Sequence, residues 1–492
     1  MLLKEEGIFE SMHLSTVLIG FAYLLNLALI LVIVFRERKR PAQTWAWILV
    51  LTFIPVVGFF LYIFFGHGIS KDKIFDLRGE EKIGMIDELK EQEHELKQGT
   101  FPVPHTRGID VNQLIYMMTV DGGSLYTQGN DVALYTDGTE KFEHLLRDLD
   151  SAQHHIHMEY YIFRSDELGT VVRNKLILAA KRGVKVKLLL DAWGCSSLKK
   201  HFFDALIAAG GEVEFFFPIL IPYINPRVNY RNHRKIVVID GHVGYTGGFN
   251  VGDEYLGIDP KFGYWRDNHL RIEGSAVYSL QNRFLMDWNS HHKPEEKYQL
   301  EYFPRMKECG QNDVQIITSG PDNTREQIKM AYLKMINMAQ KEILIQTPYY
   351  IPDDSIHEAL KLALLSGVKV TIQIPNKPDH ILVYWATYSL AAELLDYGAQ
   401  IEIYDNGFMH AKTMIIDGQV ASVGSANIDI RSFRLDFEVN TLIYNEAFVR
   451  HLRETYFETS TQCHLLTKEI YENRGRLIKF KEGLARLIQP LL

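Results

Sequence analysis

The strongest constraint on this chain is that it repeats itself. The first copy reads HIHMEYYIF (155–163), AAKRGVKVKLLLD (179–191) and LIAAGGEVEFFFP (206–218). The second reads EILIQTPYYIP (342–352), LLSGVKVTIQIP (364–375) and LLDYGAQIEIYDN (394–406). A long-range repeat sets the domain count before any single element is assigned. Apolar strands alternating with helical stretches predict an α/β domain around a largely buried sheet, built twice. Gly183 matches Gly367 and Gly210 matches Gly398, each where a helix is expected to stop before a strand. Both copies end on a longer match, NHRKIVVIDGHVGYTGGFN (232–250) against MHAKTMIIDGQVASVGSAN (409–427).

Ahead of the repeat the composition changes. Residues 14–35 carry no charge, and about 22 helical residues reach roughly 33 Å, enough to cross a bilayer. A signal peptide has a shorter apolar core and is not followed by a second apolar run. That second run, 45–65, is also uncharged, with Trp45, Trp47 and Tyr62 placed as interfacial anchors and Pro55 expected to kink it. The loop between them, RERKRPAQ, is basic, and the positive-inside rule would hold it in the cytoplasm, leaving the catalytic part outside. Lys71, Lys73 and Arg78 after the second run weaken that asymmetry. The expected layout is a transmembrane hairpin over 1–68, a charged connector over 69–110, and homologous α/β domains over 111–300 and 301–492, related by a pseudo-twofold axis.

The chain of 492 residues is 47% hydrophobic and 23% charged, with formal net charge −8. Such a surplus of acid opposes general nucleic-acid binding. Cys195, Cys309 and Cys463 are widely spaced with no CxxC, so neither a disulfide framework nor a zinc cluster is indicated.

The chemistry resides in the closing motifs. His233 with Lys235, and His410 with Lys412, alternate along presumed strands, so each pair faces one way. Asp240 and Asp417 follow at identical spacing, then Asn250 in the first copy and Ser425 and Asn427 in the second. A pattern of this kind arises by chance on the order of once in 10⁵ such chains, and here it occurs twice. Cleaving a phosphodiester without a metal needs a nucleophile, a proton donor for the leaving alkoxide, and fixed positive charge around the non-bridging oxygens. Two histidines and two lysines supply these. One imidazole would attack phosphorus while the other protonates the departing alcohol. Lys235, Lys412, Asn250, Asn427 and Ser425 would bind phosphate oxygens, and no metal or other cofactor is called for. A nucleophilic histidine needs an acceptor on its other ring nitrogen. Asp267, 34 residues after His233, and Glu438, 28 after His410, are the expected orienting carboxylates. Asp240 and Asp417 belong to the catalytic motif, yet they stand at strand ends, where bonding turn amides is the expected role.

These motifs resemble the HxKx4Dx6GGxN or GSxN signature of the phospholipase D superfamily. GYWRDNHLRIEG (263–274), GSANIDIRSF (424–433) and FEVN (437–440) look like the bacterial cardiolipin synthases within it, and the resemblance spans nearly the whole chain. It implies a phosphohistidine intermediate, often on the N-terminal histidine, and transfer of a phosphatidyl group from one phosphatidylglycerol to another with release of glycerol. Water or another alcohol as acceptor, and nuclease activity, are the alternatives.

Other features leave two readings open. The first copy carries about 11 extra residues, because 188 residues separate Gly210 from Gly398 but 177 separate His233 from His410. That apolar insertion, 219–230, is either a packed loop or an acyl-chain contact. Tyr160, Tyr161, Tyr349 and Tyr350, with Glu159, line a headgroup pocket or pack in the core. Arg431 binds a lipid phosphate or braces the fold. His154, His155, His157, His242, His291 and His292 lack ligand-like partners in the sequence and read as structural. The C-terminal NRGRLIKFKEGLARLIQPLL (473–492) is basic and amphipathic, and either lies on an anionic membrane or packs on the second domain.

Overall fold

The computed structural model describes residues 20–21, 23–35, 41–62, 83–103, 109–218, 229–292, 296, 298–323 and 325–488. The chain divides into two compact units, one N-terminal and one holding both repeats.

In the N-terminal unit, residues 23–35 are helical, and helices Pro41–Phe53 and Pro55–Leu61 follow. The break falls at Ile54, with φ −129°, because a residue preceding proline is driven out of the helical region. The expected kink at Pro55 is therefore a full interruption. Asn26 closes the unit by donating to the carbonyls of Leu51 (2.9 Å) and Pro55 (2.8 Å). Ile33, Trp47, Leu51 and Tyr62 are buried between the segments, whereas Leu27, Leu31, Phe53, Val57 and Phe60 point outward. Among the described residues no helix is long and apolar enough to cross a membrane. Residues 14–19 of the first apolar run lie outside the described residues, as do 219–228 of the apolar insertion.

The larger unit is built on one 15-stranded sheet. Its first half runs, from the centre outward, through strands Tyr126–Tyr135, His269–Glu273, Val243–Gly247, Ile236–Ile239, His155–Tyr160, Lys185–Asp191 and Glu212–Phe216. Its second half repeats that order with Asn312–Ser319, Glu438–Ile443, Val420–Gly424, Thr413–Ile416, Glu342–Gln346, Lys369–Pro375 and Gln400–Tyr404, and adds Cys463–Leu466 at the edge. The halves join where Tyr126–Tyr135 pairs antiparallel with Asn312–Ser319. An antiparallel pair is itself related by a local twofold, so this join supplies the pseudo-symmetry of the expected α/β duplication. The register shifts between Thr127 and Asn130, letting one long strand serve the second half at one end and its own half at the other.

The repeated glycines do what their positions predicted. Gly183 and Gly367 have φ of +93° and +89°, Gly210 and Gly398 +97° and +92°, the left-handed turn that lets a helix end and feed a strand. Strand Ile236–Ile239 is buried along its whole length, which is why it reads as a continuous apolar run; His155–Tyr160 is equally buried although His155, His157 and Glu159 alternate along it.

Asp240 and Asp417 belong to this framework. The Asp240 carboxylate accepts from the amides of Gln153, His154 and His155 at 2.8, 2.7 and 2.9 Å. Asp417 accepts from Gln340, Lys341 and Glu342, each at 2.8 Å. Each ties the end of its motif strand to the start of the adjacent strand. These bonds support the turn-amide role expected of both residues. Both also adopt positive φ, +53° and +51°, where aspartate is better tolerated than most residues. Asp240→Ala and Asp417→Ala should each cost about 1 kcal/mol of stability by removing three exposed or half-buried amide bonds, lowering the thermal midpoint while turnover per folded molecule persists. Loss of turnover in well-folded protein would place them in the catalytic set.

Candidate active site

His233 and Lys235 lie just before strand Ile236–Ile239, not within it, and His410 and Lys412 just before Thr413–Ile416. These pre-strand segments are held by the opposite domain. The amide of His233 donates to the carbonyl of Phe437 (2.9 Å), and that of Phe437 to Arg231 (2.8 Å). In the mirrored arrangement, His410 donates to Arg266 (2.8 Å) and Phe408 to Tyr264 (2.8 Å). The residue following each partner carbonyl is a carboxylate. Glu438 therefore meets Nδ1 of His233 at 3.0 Å, and Asp267 meets Nδ1 of His410 at 2.6 Å.

The two expected carboxylates are thus present, but crossed between domains: each histidine is held by the acid of the other copy. A carboxylate on Nδ1 fixes the proton there and leaves Nε2 as the reactive nitrogen. Lys235 Nζ donates to its own His233 carbonyl (2.6 Å) and Lys412 Nζ to that of His410 (2.5 Å), which brings both ammonium groups back to the histidines. Tyr161 stands edge-on to His233 at 4.8 Å between ring centroids, and Trp265 packs against His410 at 5.1 Å.

Burial, with the cations Lys235 and Lys412 alongside, pushes the His233 imidazole well below its ordinary range. Burial and Lys412 lower His410 to about 4. Burial also lowers Lys235 to about 7 and Lys412 to about 8. The carboxylates differ from one another. Burial opposes ionisation of Asp267, yet His410 and Lys412 hold it below the usual range, whereas burial raises Glu438 to about 7. Both imidazoles are therefore neutral near pH 7. An anionic phosphodiester placed among them favours the charged forms of imidazole and ammonium alike, so binding substrate readies the acid.

The remaining sequence candidates separate. Ser425, expected to donate to phosphate, turns its hydroxyl to Glu438 at 2.5 Å and receives the Val439 amide at 3.0 Å. It positions Glu438 and is itself fully buried. Its counterpart is Gly248, where a Cβ would stand 1.9 Å from Asp267 Oδ1. The GG and GS variants of the motif thus fit two carboxylates that sit differently. Asn250, also expected on phosphate, accepts from the Ile162 amide (3.1 Å) and donates to the Tyr255 hydroxyl (3.1 Å), so it braces the loop after strand His155–Tyr160. Asn427 is held differently: its side chain bonds Asp429, its backbone amide donates to Ser432 (3.2 Å), and its amide oxygen is buried without a partner.

Tyr160 and Tyr350 are core residues bonded to Lys141 (3.0 Å) and His357 (3.1 Å), while Tyr349 bonds Asp379. Glu159 is buried against Asn232, beneath the site. Arg431 pairs with Asp436 at 3.1 Å. Sequence reasoning missed Arg234, which has no counterpart because the second copy carries Ala411. Fully buried, Arg234 reaches Asp287 (2.7 Å) and the carbonyls of Glu438 and Ser319 (both 3.2 Å). The signal available was a charged residue beside a catalytic histidine at a position apolar in the repeat.

Two domains donating one histidine and one lysine each, at a pseudo-twofold join, define an enzyme of the phospholipase D-like class. The family described as "Cardiolipin synthase, PLD-like domain" matches residues 145–288 and 332–459, and "Phospholipase_D-nuclease N-terminal" matches 24–67. The cardiolipin synthase of Listeria monocytogenes serotype 4a (strain HCC23) is 50% identical over 478 residues, covering 96% of this chain and 99% of that protein. The major cardiolipin synthase ClsA of Bacillus subtilis (strain 168) is 49% identical over 483 residues, covering 98% and 100%. Among solved structures, a phosphatidylserine synthase of Haemophilus influenzae Rd KW20 shares the fold, with TM-score 0.59 at 15% identity over 73% of this chain and 95% of its own. The chain belongs to the cardiolipin synthase family.

The free enzyme should show a narrow bell-shaped profile of kcat/KM. Protonation of Glu438 near pH 7 would set the acid limb, and loss of the lysine charges, reaching about 8 at Lys412, the alkaline one. The Ser425 bond lowers the Glu438 pKa, so Ser425→Ala should move the acid limb to higher pH and leave the alkaline limb in place. An unmoved acid limb in a folded variant would separate Ser425 from Glu438.

Proposed function

We propose that this enzyme makes cardiolipin by moving a phosphatidyl group from one phosphatidylglycerol to the hydroxyl of a second. Nε2 of one histidine attacks phosphorus and forms a P–N bond, the P–O bond to glycerol breaks, and the other histidine gives the departing alkoxide its proton. The same imidazole then removes the proton from the incoming hydroxyl, whose oxygen displaces the histidine. His233 takes the nucleophile's part: its carboxylate partner is the less strongly ionised of the two, and the imidazole keeps a free lone pair beside two cations. His410, beside the ionised Asp267, is better placed to hold the proton as imidazolium. Lys235 and Lys412 balance the phosphate charge.

The observation carrying the reading is the pair of carboxylate-held imidazoles flanked by two ammonium groups, in a chain about half identical to cardiolipin synthases over nearly its whole length. Labelled phosphatidylglycerol supplied alone should give cardiolipin and free glycerol. Phosphatidic acid as the sole product would make the enzyme a hydrolase. His233→Ala and His410→Ala should each reduce synthesis at least a thousandfold without lowering expression, and appreciable turnover in either would contradict the two-histidine mechanism.

We also propose that the N-terminal unit seats this enzyme in the bilayer as a hairpin, with its catalytic domains over 111–300 and 301–492 outside the cytoplasm. The outward apolar residues of that unit and the basic loop at 36–40 support this. Cys309 is exposed, while Cys195 is buried and Cys463 half-buried. A membrane-impermeant maleimide should label Cys309 in intact cells; labelling only after lysis would contradict the orientation.

A further inference from the structure

The C-terminal helix Arg476–Ile488 packs along helix Ile381–Glu393, with Arg486 paired to Glu393 and Lys481 Nζ 5.5 Å from the Trp385 ring. The side it buries is unexpected. Ala485 and Glu482 go inward, Glu482 paired with Arg474. Leu477, Phe480 and Leu484 stay 66%, 69% and 48% exposed. At about 100° per residue these three fall within an arc of roughly 60°. Arg476 flanks that arc on one side and Lys481 on the other. The helix's one acid is thus internal and paired, Arg486 is taken by Glu393, and the remaining exposed charges, Arg476, Lys479 and Lys481, are all positive.

The supporting helix continues the same character. Ile381 and Leu382, at its start, are 66% and 45% exposed. They follow directly on Asp379, whose carboxylate takes the Tyr349 hydroxyl and contributes to the field at Lys412. An apolar stripe bordered by lysine and arginine matches the interface of an anionic bilayer, with rings and leucines in the acyl boundary and cations among the headgroup phosphates. A protein partner would have to match that cationic border with acid, whereas an anionic membrane supplies it everywhere.

We infer that helix Arg476–Ile488, with Ile381 and Leu382, is a membrane-docking face that lays the catalytic unit onto anionic phospholipid, bringing Asp379, and with it the Lys412 side of the site, toward the headgroups. The inference rests on the phospholipid substrates proposed above. It differs from the hairpin in purpose: the hairpin tethers, whereas this face sets the orientation of the site.

The test uses the full chain in a Cys309→Ser, Cys463→Ser background, with an environment-sensitive fluorophore on Leu477→Cys, Phe480→Cys, Leu484→Cys or Gly483→Cys. In vesicles of phosphatidylglycerol and phosphatidylcholine, the first three should shift to the blue and be quenched by nitroxide-bearing lipid. Gly483→Cys should not, and quenching should weaken in phosphatidylcholine alone. Absence of quenching at all three overturns the inference. So does a blue shift in lipid-free detergent that grows with protein concentration, which would assign the face to a second copy of this chain. In parallel, the Leu477→Asp, Phe480→Asp double variant should lose about tenfold in kcat/KM on vesicle phosphatidylglycerol while matching the parent on a short-chain, water-soluble one. Equal loss on both substrates would count against docking. Quenching reports on the helix whatever the reaction proves to be, so failure of the cardiolipin reading would show separately, in the products.

Discussion

Everything at the site depends on two short parallel backbone contacts that cross between the domains: His233 on Phe437 and His410 on Arg266. Because the next residue in each partner segment is the orienting acid, one backbone bond fixes both the path of the histidine and the identity of its carboxylate. The consequence is that neither domain contains a complete catalytic histidine. The site exists only when the two halves are joined, and the continuous sheet through Tyr126–Tyr135 and Asn312–Ser319 is what joins them. Crossing also lets two neutral imidazoles and two lysines stay close together in a buried place, since each cation-rich half is matched by the other half's acid.

Duplication gives the architecture, and departures from it give the chemistry. Asp267 lies close against Gly248 and remains ionised beside His410 and Lys412. Glu438 leans on Ser425 and titrates near neutrality. The two histidines therefore sit in different surroundings, one beside an ionised acid and one beside an acid that titrates near neutrality. Arg234 adds a second departure. Its guanidinium spans from Asp287 in one half to the carbonyls of Glu438 and Ser319 in the other, a buried strut at a position where the second copy has alanine.

Much of this was legible in the sequence for a local reason: strand and helix periods, glycine stops and motif spacing are short-range and occur twice. The α/β duplication, the two His–Lys pairs and the two acids that bond the histidines were all readable that way. The crossing was not. The acids lie 28 and 34 residues from the histidines of their own copies, but the bonds made are 205 and 143 residues long, and only the domain join determines them. Ser425 and Asn250 were assigned to phosphate because a motif names a polar atom without saying where it points; one faces a carboxylate and the other a loop amide. Hydropathy located the N-terminal apolar segments, but Pro55 divides the second into helices of 13 and 7 residues. At about 1.5 Å per residue, neither alone reaches the roughly 30 Å of a hydrocarbon core, so a crossing at this segment needs both in series.

The crossed pairing can be measured on each histidine separately. Acylation of His233 and His410 by diethyl pyrocarbonate, followed over time by peptide mass spectrometry, reports the reactivity of each imidazole in folded enzyme. Glu438→Gln should change the rate at His233 and leave His410 as it was, while Asp267→Asn should change His410 and leave His233 alone. If Glu438→Gln acted on His410 and Asp267→Asn on His233, the acids would serve their own copies, and a site completed only across the domain join would be contradicted.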